Sequence, residues 1–330
     1  MEYTFESNRW LITGGCGFIG TSLITHLLQN NPEIKISVLD NLSVGTREDL
    51  SEVTSSIEKE LGMKVPGIEL VEGDIRDYDT CHKCCDGINI IVHLAANTGV
   101  APSVEDPRYD MEANVTGTFN MLESARQNNV KKFISASSGA TIGEVDPPIH
   151  EGKVPKPVSP YGASKLAGEA YCSAYYRTFG IHTISLRFAN VYGPLSKHKS
   201  SVVAKFLKQA LAGDALEIYG DGNQTRDFIY IDDLIKAITL SAGSNIGGEA
   251  FQIATYKETT VNNIAAMIKE LIESETGKTV TIIHGKTRPG DVKRNYSDIS
   301  KARKMLGFDP KFTLETGLKN TFEYFRSKNR

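Results

Sequence analysis

A tyrosine and a lysine four residues apart, in the stretch Tyr161-Gly162-Ala163-Ser164-Lys165, could form a base. On a helix, side chains at i and i+4 share a face, so the Lys165 ammonium can lie beside the Tyr161 phenol and favour its phenolate form. A phenol with an ordinary pKa of about 10 could then exchange protons near neutral pH. The same spacing occurs on solvated helices as an apolar stem beside a surface charge, so the pair implies catalysis only in the right setting.

That setting begins near the N-terminus. Trp10-Leu11-Ile12-Thr13 reads as a short buried strand, followed by Gly14-Gly15-Cys16-Gly17-Phe18-Ile19-Gly20 and an amphipathic run through Leu23, Ile24, Leu27 and Leu28. In a strand, glycine turn and helix of this kind, Gly14 allows the tight turn, Gly17 lets a pyrophosphate approach the backbone, and Gly20 lets helix and strand pack closely. The helix N-terminus supplies amides for the phosphates. A second strand, Ile34 to Leu39, ends in Asp40, at the distance where an acidic side chain accepts hydrogen bonds from an adenosine ribose and repels a 2′-phosphate. NAD is therefore expected rather than NADP.

Composition agrees with an enzyme. The chain has 330 residues, 40% of them hydrophobic and 23% charged, which suits two fused domains with a sizeable core. A net charge of −3 leaves no basic footprint for nucleic acid or an anionic membrane, and no apolar run is long enough to span a bilayer. No signal peptide precedes the first strand, so the cytoplasm is the expected location. Five cysteines, an odd number, argue against a disulfide framework. Cys81-His82-Lys83-Cys84-Cys85 groups soft ligands closely. No second pair follows at finger-like spacing, and the segment reads as a helix burying small apolar side chains, so no metal site is expected.

Strand-like and helix-like runs alternate along the chain. After a polar excursion from Ser43 to Pro66, Gly67 to Asp74 reads as a strand whose closing Gly73-Asp74-Ile75 lies where a loop could meet an adenine. Ile88 to Ala96 reads as a buried strand ending in His93-Leu94-Ala95-Ala96, where small residues leave space for a cofactor. Asn114 to Gln127 reads as a helix, Lys132 to Ser138 as a strand, Pro160 to Phe179 as the helix carrying Tyr161 and Lys165, and His182 to Phe188 as the strand that closes the sheet. Beyond Val191-Tyr192-Gly193-Pro194, helices are expected over Val202 to Ala212 and Asn262 to Glu275, with short strands between. The prediction is an α/β fold: a Rossmann-like doubly wound parallel sheet over 1–189 and a smaller mixed α/β substrate-binding domain over 190–330, part of roughly 227–245 packing back on the first.

These motifs, with Asp40-Asn41, Ser137-Ser138, Arg187-Phe188-Ala189-Asn190-Val191-Tyr192-Gly193-Pro194, Gln224-Thr225-Arg226-Asp227-Phe228, Arg288-Pro289-Gly290-Asp291 and Leu306-Gly307-Phe308, stand in the order seen in extended short-chain dehydrogenases/reductases. Nearly the whole chain resembles the UDP-sugar 4-epimerases among them. The resemblance implies that Tyr161, as phenolate, takes the proton of a sugar 4-hydroxyl while the C4 hydride passes to NAD, leaving a 4-keto sugar. Ser138 would hydrogen-bond the same oxygen, and Lys165 would also hold the nicotinamide ribose. Phe18, Ile19, Asn41, Asp74, Ile75, Leu94, Ala95, Ala96 and Asn114 join Gly14, Gly17, Gly20 and Asp40 in the implied cofactor site.

Sugar 4,6-dehydratases and several decarboxylases of this superfamily place an acidic residue just after the serine or threonine. Here the residues are Ser138-Gly139-Ala140-Thr141-Ile142-Gly143, with Glu144 the nearest carboxylate. Without a placed acid or base at C5, a gain of about 10²- to 10⁴-fold would be missing, which favours epimerisation. Ile142 departs from the family's usual Val-Tyr-Gly.

On the nucleotide side the resemblance implies Arg226 and Arg288 as diphosphate contacts, Asp291 at the uridine ribose, Asn190 at a phosphate and Tyr219 along the uracil. Asn295 takes the place of a bulkier residue that, in related epimerases, narrows the pocket against a 2-acetamido group. This points to UDP-N-acetylglucosamine and UDP-N-acetylgalactosamine, with UDP-glucose and UDP-galactose as possible substrates. The alternatives are a dehydratase, decarboxylase or reductase acting on a nucleotide sugar, a UDP-glucuronate 4-epimerase, and a non-enzymatic NAD-binding regulator. A homodimer through the helices 114–127 and 160–179 is also implied.

Overall fold

The apolar run at the N-terminus becomes the middle of a sheet because both of its faces are apolar. In the computed structural model, which describes residues 9–287 and 292–328, the first six strands are β1 (Arg9–Thr13), β2 (Lys35–Asp40), β3 (Glu69–Glu72), β4 (Ile90–His93), β5 (Lys132–Ser138) and β6 (His182–Phe188). The second half contributes β7 (Asn190–Tyr192), β8 (Leu216–Tyr219), β9 (Thr225–Arg226), β10 (Phe228–Tyr230) and β11 (Glu249–Ile253). Strands β3, β2, β1, β4, β5, β6 and β11, in that spatial order, form one parallel seven-stranded sheet.

Helices α1 (Phe18–Asn30), α2 (Arg47–Leu61), α3 (Tyr78–Cys84), α4 (Val100–Glu105), α5 (Pro107–Met111), α6 (Gly117–Gln127) and α7 (Pro160–Phe179) lie between the first strands. Next come α8 (Val202–Ala212), α9 (Ile231–Gly243) and α10 (Val261–Thr276). Side chains alternate across the sheet with the period of two that a strand imposes. Trp10, Ile12, Val38, Val92 and Ile134 share one core with Leu23, Ile24 and Leu27 of α1, whereas Leu11, Leu39, Ile91 and Phe133 pack on the other face with Met121 of α6 and Cys172 of α7. Both faces are covered, which is why these strands read as continuous apolar runs.

Strands β5 and β6 and helices α7 and α8 have the bounds read from sequence. Other elements differ. The sheet does not close at β6, because β11 pairs with it from the second half of the chain. Helix α9 packs against α1 and β5. The polar excursion 43–66 contains α2, which buries Leu50, Val53 and Ile57 at helical spacing. Its sequence signal was the capping box: Thr46 Oγ1 accepts from Asp49 N–H while the Asp49 carboxylate accepts from Thr46 N–H. Strand β4 stops at His93, so Leu94 to Ala96 leave the ladder. Helix α6 begins at Gly117 because Glu112–Thr116 form a π-helical turn.

The Cys81–Cys85 segment is core. Cys81 and Cys85 are fully buried, the Cys81 thiol donates to the Ile75 carbonyl at 3.2 Å, and burial pushes its pKa up to about 12. Among the described residues no three His, Cys, Asp or Glu side chains are grouped to hold a metal ion, and no helix is long and apolar enough to cross a membrane.

Candidate active site

The C-terminal ends of β1, β2 and β4 open onto a cleft of about 540 Å³, the position where doubly wound sheets bind ligands. Its floor is the glycine turn. Gly14 has φ +68°, and a Cβ there would lie 2.8 Å from the Ala95 amide nitrogen. A Cβ on Gly20 would lie 2.5 Å from the Gly14 carbonyl, so only glycine lets α1 pack this closely on the turn. Gly17 is the N-cap of α1 and has no side chain to occupy the cleft.

The sequence-predicted cofactor residues Gly14, Gly17, Phe18, Ile19, Gly20, Asp40, Asn41, Asp74, Ile75, Leu94, Ala95 and Ala96 all line this cleft, together with Tyr161. Asp40 is buried, and its two oxygens accept from the Cys16 and Leu42 amides at 2.9 Å each. Burial raises its pKa while these two bonds pull it down. Each oxygen keeps a second lone pair, so the carboxylate can also accept from a ribose hydroxyl. Burial would raise the Asp74 carboxyl too, but the Arg76 fork and the Asn41 amide hold it below its ordinary value.

Asn114 lies behind the wall. Its Nδ2 donates to Asn97 O, Asp110 Oδ1 and Ser164 Oγ, and its Oδ1 accepts from Asn97 N–H. Its amide hydrogens are taken up within the protein, so its contribution to the cleft is to fix Asn97, which lines it. Sequence reasoning missed further lining residues: Ser43 to Gly45, Asn97 to Gly99, Tyr109, Leu195 and His198 to Ser201. The last group comes from a turn in the second half of the chain, and no local motif announces that it reaches the cofactor cleft.

Tyr161 is set by the start of α7. Ser159 caps the helix by accepting from Gly162 N–H at 3.1 Å, and Pro160 occupies the first turn. A Cβ on Gly162 would lie 2.4 Å from Ala140 O, so this turn is pressed against the segment after Ser138. Ser138 lies near enough to the Tyr161 phenol to pull its pKa down, and its hydroxyl accepts from Ala140 N–H. Lys165 is buried, donates to Ala136 O at 3.0 Å, and lies 5.9 Å from the centre of the Tyr161 ring.

The expectation that Lys165 lowers the phenol's pKa is corrected for the protein alone. Burial pushes Tyr161 up to about 12, with Ser138 opposing the rise and Asp110 adding to it. Burial also lowers Lys165 to about 8, against the pull of Asp110, Cys172 and Glu169. The ammonium is turned to a backbone carbonyl, and desolvation sets the direction of the phenol's shift.

Ile142 is fully buried, and its carbonyl accepts from Lys156 N–H, so this departure from the family pattern fills core. Glu144 is exposed, and no carboxylate lies between Ser138 and Gly143.

His93, quoted above only as part of a strand end, holds the wall in place. Thr13 Oγ1 accepts from Ala95 N–H and lies 2.8 Å from His93 Nδ1, while Nε2 is 3.1 Å from Thr118 Oγ1. The network assigns a neutral ring that accepts from Thr13 and donates to Thr118. Burial, helped by Lys165, lowers its pKa from 6.5 to about 3. Below pH 6.5 the unfolded chain takes up a proton that the folded chain refuses, so this stabilisation is present above pH 6.5 and is lost as the pH falls toward 3. Urea unfolding should show His93 accounting for a loss of about 2 kcal/mol between pH 6.5 and 5. The variant His93→Asn should lack that component, and an unchanged slope would refute it.

The nucleotide-side residues gather around β9 and β10. Asn190 pairs with Phe228 across β7 and β10, and its Nδ2 donates to Asp227 O. Arg226 Nη1 donates to Thr225 O and Val292 O, both at 2.7 Å. Tyr219 closes β8 with the Lys205 ammonium 4.0 Å above its ring, and its carbonyl accepts from Gln224. Asn295 is half-buried between Arg294, which is bound to Glu258, and Tyr296. None of these four lines the cofactor cleft. Arg288 and Asp291 lie outside the described residues. The buried Asp227 ties the group together: its oxygens accept from Thr255 N–H and Oγ–H, Tyr256 N–H and Ser297 N–H.

A parallel sheet, a glycine turn, a buried acid at the end of the second strand and a tyrosine in the cleft wall define a dinucleotide-binding enzyme of the Rossmann class. The chain matches the NAD dependent epimerase/dehydratase family over residues 10–254 and belongs to it, within the extended short-chain dehydrogenases/reductases. Its cofactor is NAD. Over 325 residues it is 38% identical to a putative UDP-glucose 4-epimerase of Methanocaldococcus jannaschii, covering 97% of this chain and 99% of that one. The solved UDP-glucose 4-epimerase of Thermotoga maritima with UDP-glucose is similar at TM-score 0.86 and 34% identity, over 98% of this chain and 100% of that one. The UDP-N-acetylglucosamine 4-epimerase of Methanobrevibacter ruminantium in complex with UDP-N-acetylmuramic acid is similar at TM-score 0.87 and 30% identity, again over 98% and 100%.

Proposed function

We propose that this enzyme interconverts UDP-N-acetylglucosamine and UDP-N-acetylgalactosamine, with UDP-glucose and UDP-galactose as lesser substrates. At the coarser level it is an NAD-dependent UDP-sugar 4-epimerase, an isomerase. One observation carries the proposed mechanism: Tyr161 stands in the wall of the NAD cleft with Ser138 near its phenol, and no carboxylate lies between Ser138 and Gly143.

In this reading Tyr161 takes the proton of the sugar 4-hydroxyl and later returns it, while Ser138 hydrogen-bonds the same oxygen. Lys165 holds the floor beneath the phenol and donates to the nicotinamide ribose. NAD bound in the cleft would supply the acceptor for the C4 hydride and the donor that reduces the ketone again. With no acid placed to protonate a leaving group at C6, the ketone is reduced again rather than dehydrated. Arg226 and Asn190 hold the diphosphate and Tyr219 flanks the base, with Arg288 and Asp291 completing the nucleotide site.

Asn295 supports the acetamido substrate, because it is smaller than an aromatic residue and its amide can pair with the acetamido group. The chain should be incubated separately with UDP-N-acetylglucosamine, UDP-glucose and UDP-glucuronate, and the products separated and weighed. A C4 epimer of unchanged mass formed fastest from the acetamido sugar is expected, and loss of water or carbon dioxide would overturn the reading. In the same assay Asn295→Tyr should lower kcat/KM on the acetamido sugar at least tenfold more than on UDP-glucose. An equal loss on both would show that Asn295 does not select the substrate.

We also propose a homodimer. Phe119 of α6 and Tyr171 and Phe179 of α7 are exposed large side chains, joined through Tyr175 into one aromatic face. Two such faces meeting would give a four-helix contact, and light scattering should read twice the chain mass of 36.2 kDa.

A further inference from the structure

Among the described residues the cofactor cleft contains one cation whose side chain no protein group engages. The turn after β7 brings Leu195, His198, Lys199, Ser200 and Ser201 to the cleft wall from the second half of the chain. The turn is held at several points. Ser196 Oγ donates to Gly193 O at 2.6 Å, and Lys208 Nζ donates to the carbonyls of Lys197 and Lys199.

Across the cleft, Asp49 at the start of α2 takes both Lys197 Nζ and His198 Nε2, the latter at 2.9 Å. Helix α2 in turn follows Gly45, which packs so closely on the glycine turn that a Cβ there would lie 2.0 Å from Cys16 O. The Asp49 clamp therefore carries the next residue, Lys199, to the side of the cleft where the amides of α1 face a phosphate.

Lys197 and His198 have their carboxylate; Lys199 has none. Its side chain makes no hydrogen bond or ion pair among the described residues, it is half-buried, and burial lowers its pKa. An exposed lysine would gain little from a partner, whereas a partly desolvated ammonium without an anion is destabilising until one arrives. The cleft's own acids are already engaged: Asp74 by Arg76 and Asn41, Asp40 by two amides.

We propose that Lys199 is a diphosphate-binding residue, its ammonium donating to a phosphoryl oxygen of a nucleotide in this cleft, and that Asp49 positions it through Lys197 and His198. Two nucleotides of this enzyme carry a diphosphate. The cofactor's pyrophosphate is the nearer to the glycine turn, and the UDP moiety rests on the function proposed above. A charge-assisted bond of this kind is worth roughly tenfold or more in affinity.

The test is calorimetric titration of the cofactor-free chain and of Lys199→Met with ADP-ribose, adenosine and UDP. The variant should bind ADP-ribose about tenfold more weakly with adenosine unchanged, and Lys199→Arg should restore most of the loss. A tenfold loss confined to UDP would also support the proposal and place the contact on the sugar nucleotide. Unchanged binding of all three probes, or an equal loss for adenosine and ADP-ribose, would overturn it. A wild-type chain that binds ADP-ribose but not UDP would count against the UDP-sugar reading alone, leaving the ADP-ribose arm to decide the lysine.

Discussion

Replacing Tyr161 with phenylalanine should lower kcat by about 10³-fold or more while leaving NAD affinity within a few-fold of wild type. Phenylalanine keeps the ring that lines the cleft and removes only the hydroxyl near Ser138. What disappears is the group proposed to move the substrate proton, so the loss should fall on kcat rather than on binding. A phenol held at about 12 needs about 7 kcal/mol to ionise at pH 7. The chain without cofactor therefore keeps Tyr161 neutral at pH 7. A Tyr161→Phe enzyme within tenfold of wild-type kcat would sink the assignment and would favour a binding role for the fold.

The largest stability effect is expected at Glu169, one helical turn beyond Lys165. Its carboxylate accepts from Arg187 Nε at 2.8 Å, Arg187 Nη2 at 2.6 Å and Ser137 Oγ at 2.5 Å. Both members of the ion pair are almost wholly buried, with side-chain exposures of 6% for Arg187 and 8% for Glu169. The pair pins α7 to β5 and β6 and so sets the rotation that brings Tyr161 to the cleft. Glu169→Gln leaves the guanidinium buried without its counter-charge, which costs about 3–5 kcal/mol. Arg187 Nη1 already lacks a partner among the described residues, so the arginine has little with which to compensate. Urea unfolding should show a lower midpoint with an unchanged m-value. A loss under about 1 kcal/mol would mean that the pair is replaced by water or by a shift of α7.

These two residues mark a boundary between kinds of information. Tyr161 was visible from sequence because its chemistry needs a lysine at a fixed short spacing, a glycine beside it and a serine at the end of the preceding strand. Glu169 was not, because its partners Arg187 and Ser137 lie on two other strands and its own neighbourhood reads as an ordinary helix face. Asp227 behaved likewise: its sequence neighbours were quoted, but four donors from residues 255, 256 and 297 give it its place.

Taken by itself the sequence determined the parallel sheet, the glycine turn, the acid that ends β2 and the Tyr161 and Lys165 pair, because each rests on short-range periodicity or fixed spacing. Tertiary structure alone decided three things. It added β11 to the sheet, since a strand's neighbours depend on pairing across the whole chain. It raised the phenol of Tyr161 instead of lowering it, because desolvation is a property of the packed environment and not of the spacing to a lysine four residues away. It also brought the turn containing Lys199 over the cofactor cleft, through a carboxylate 150 positions earlier in the chain that local sequence could not connect to it.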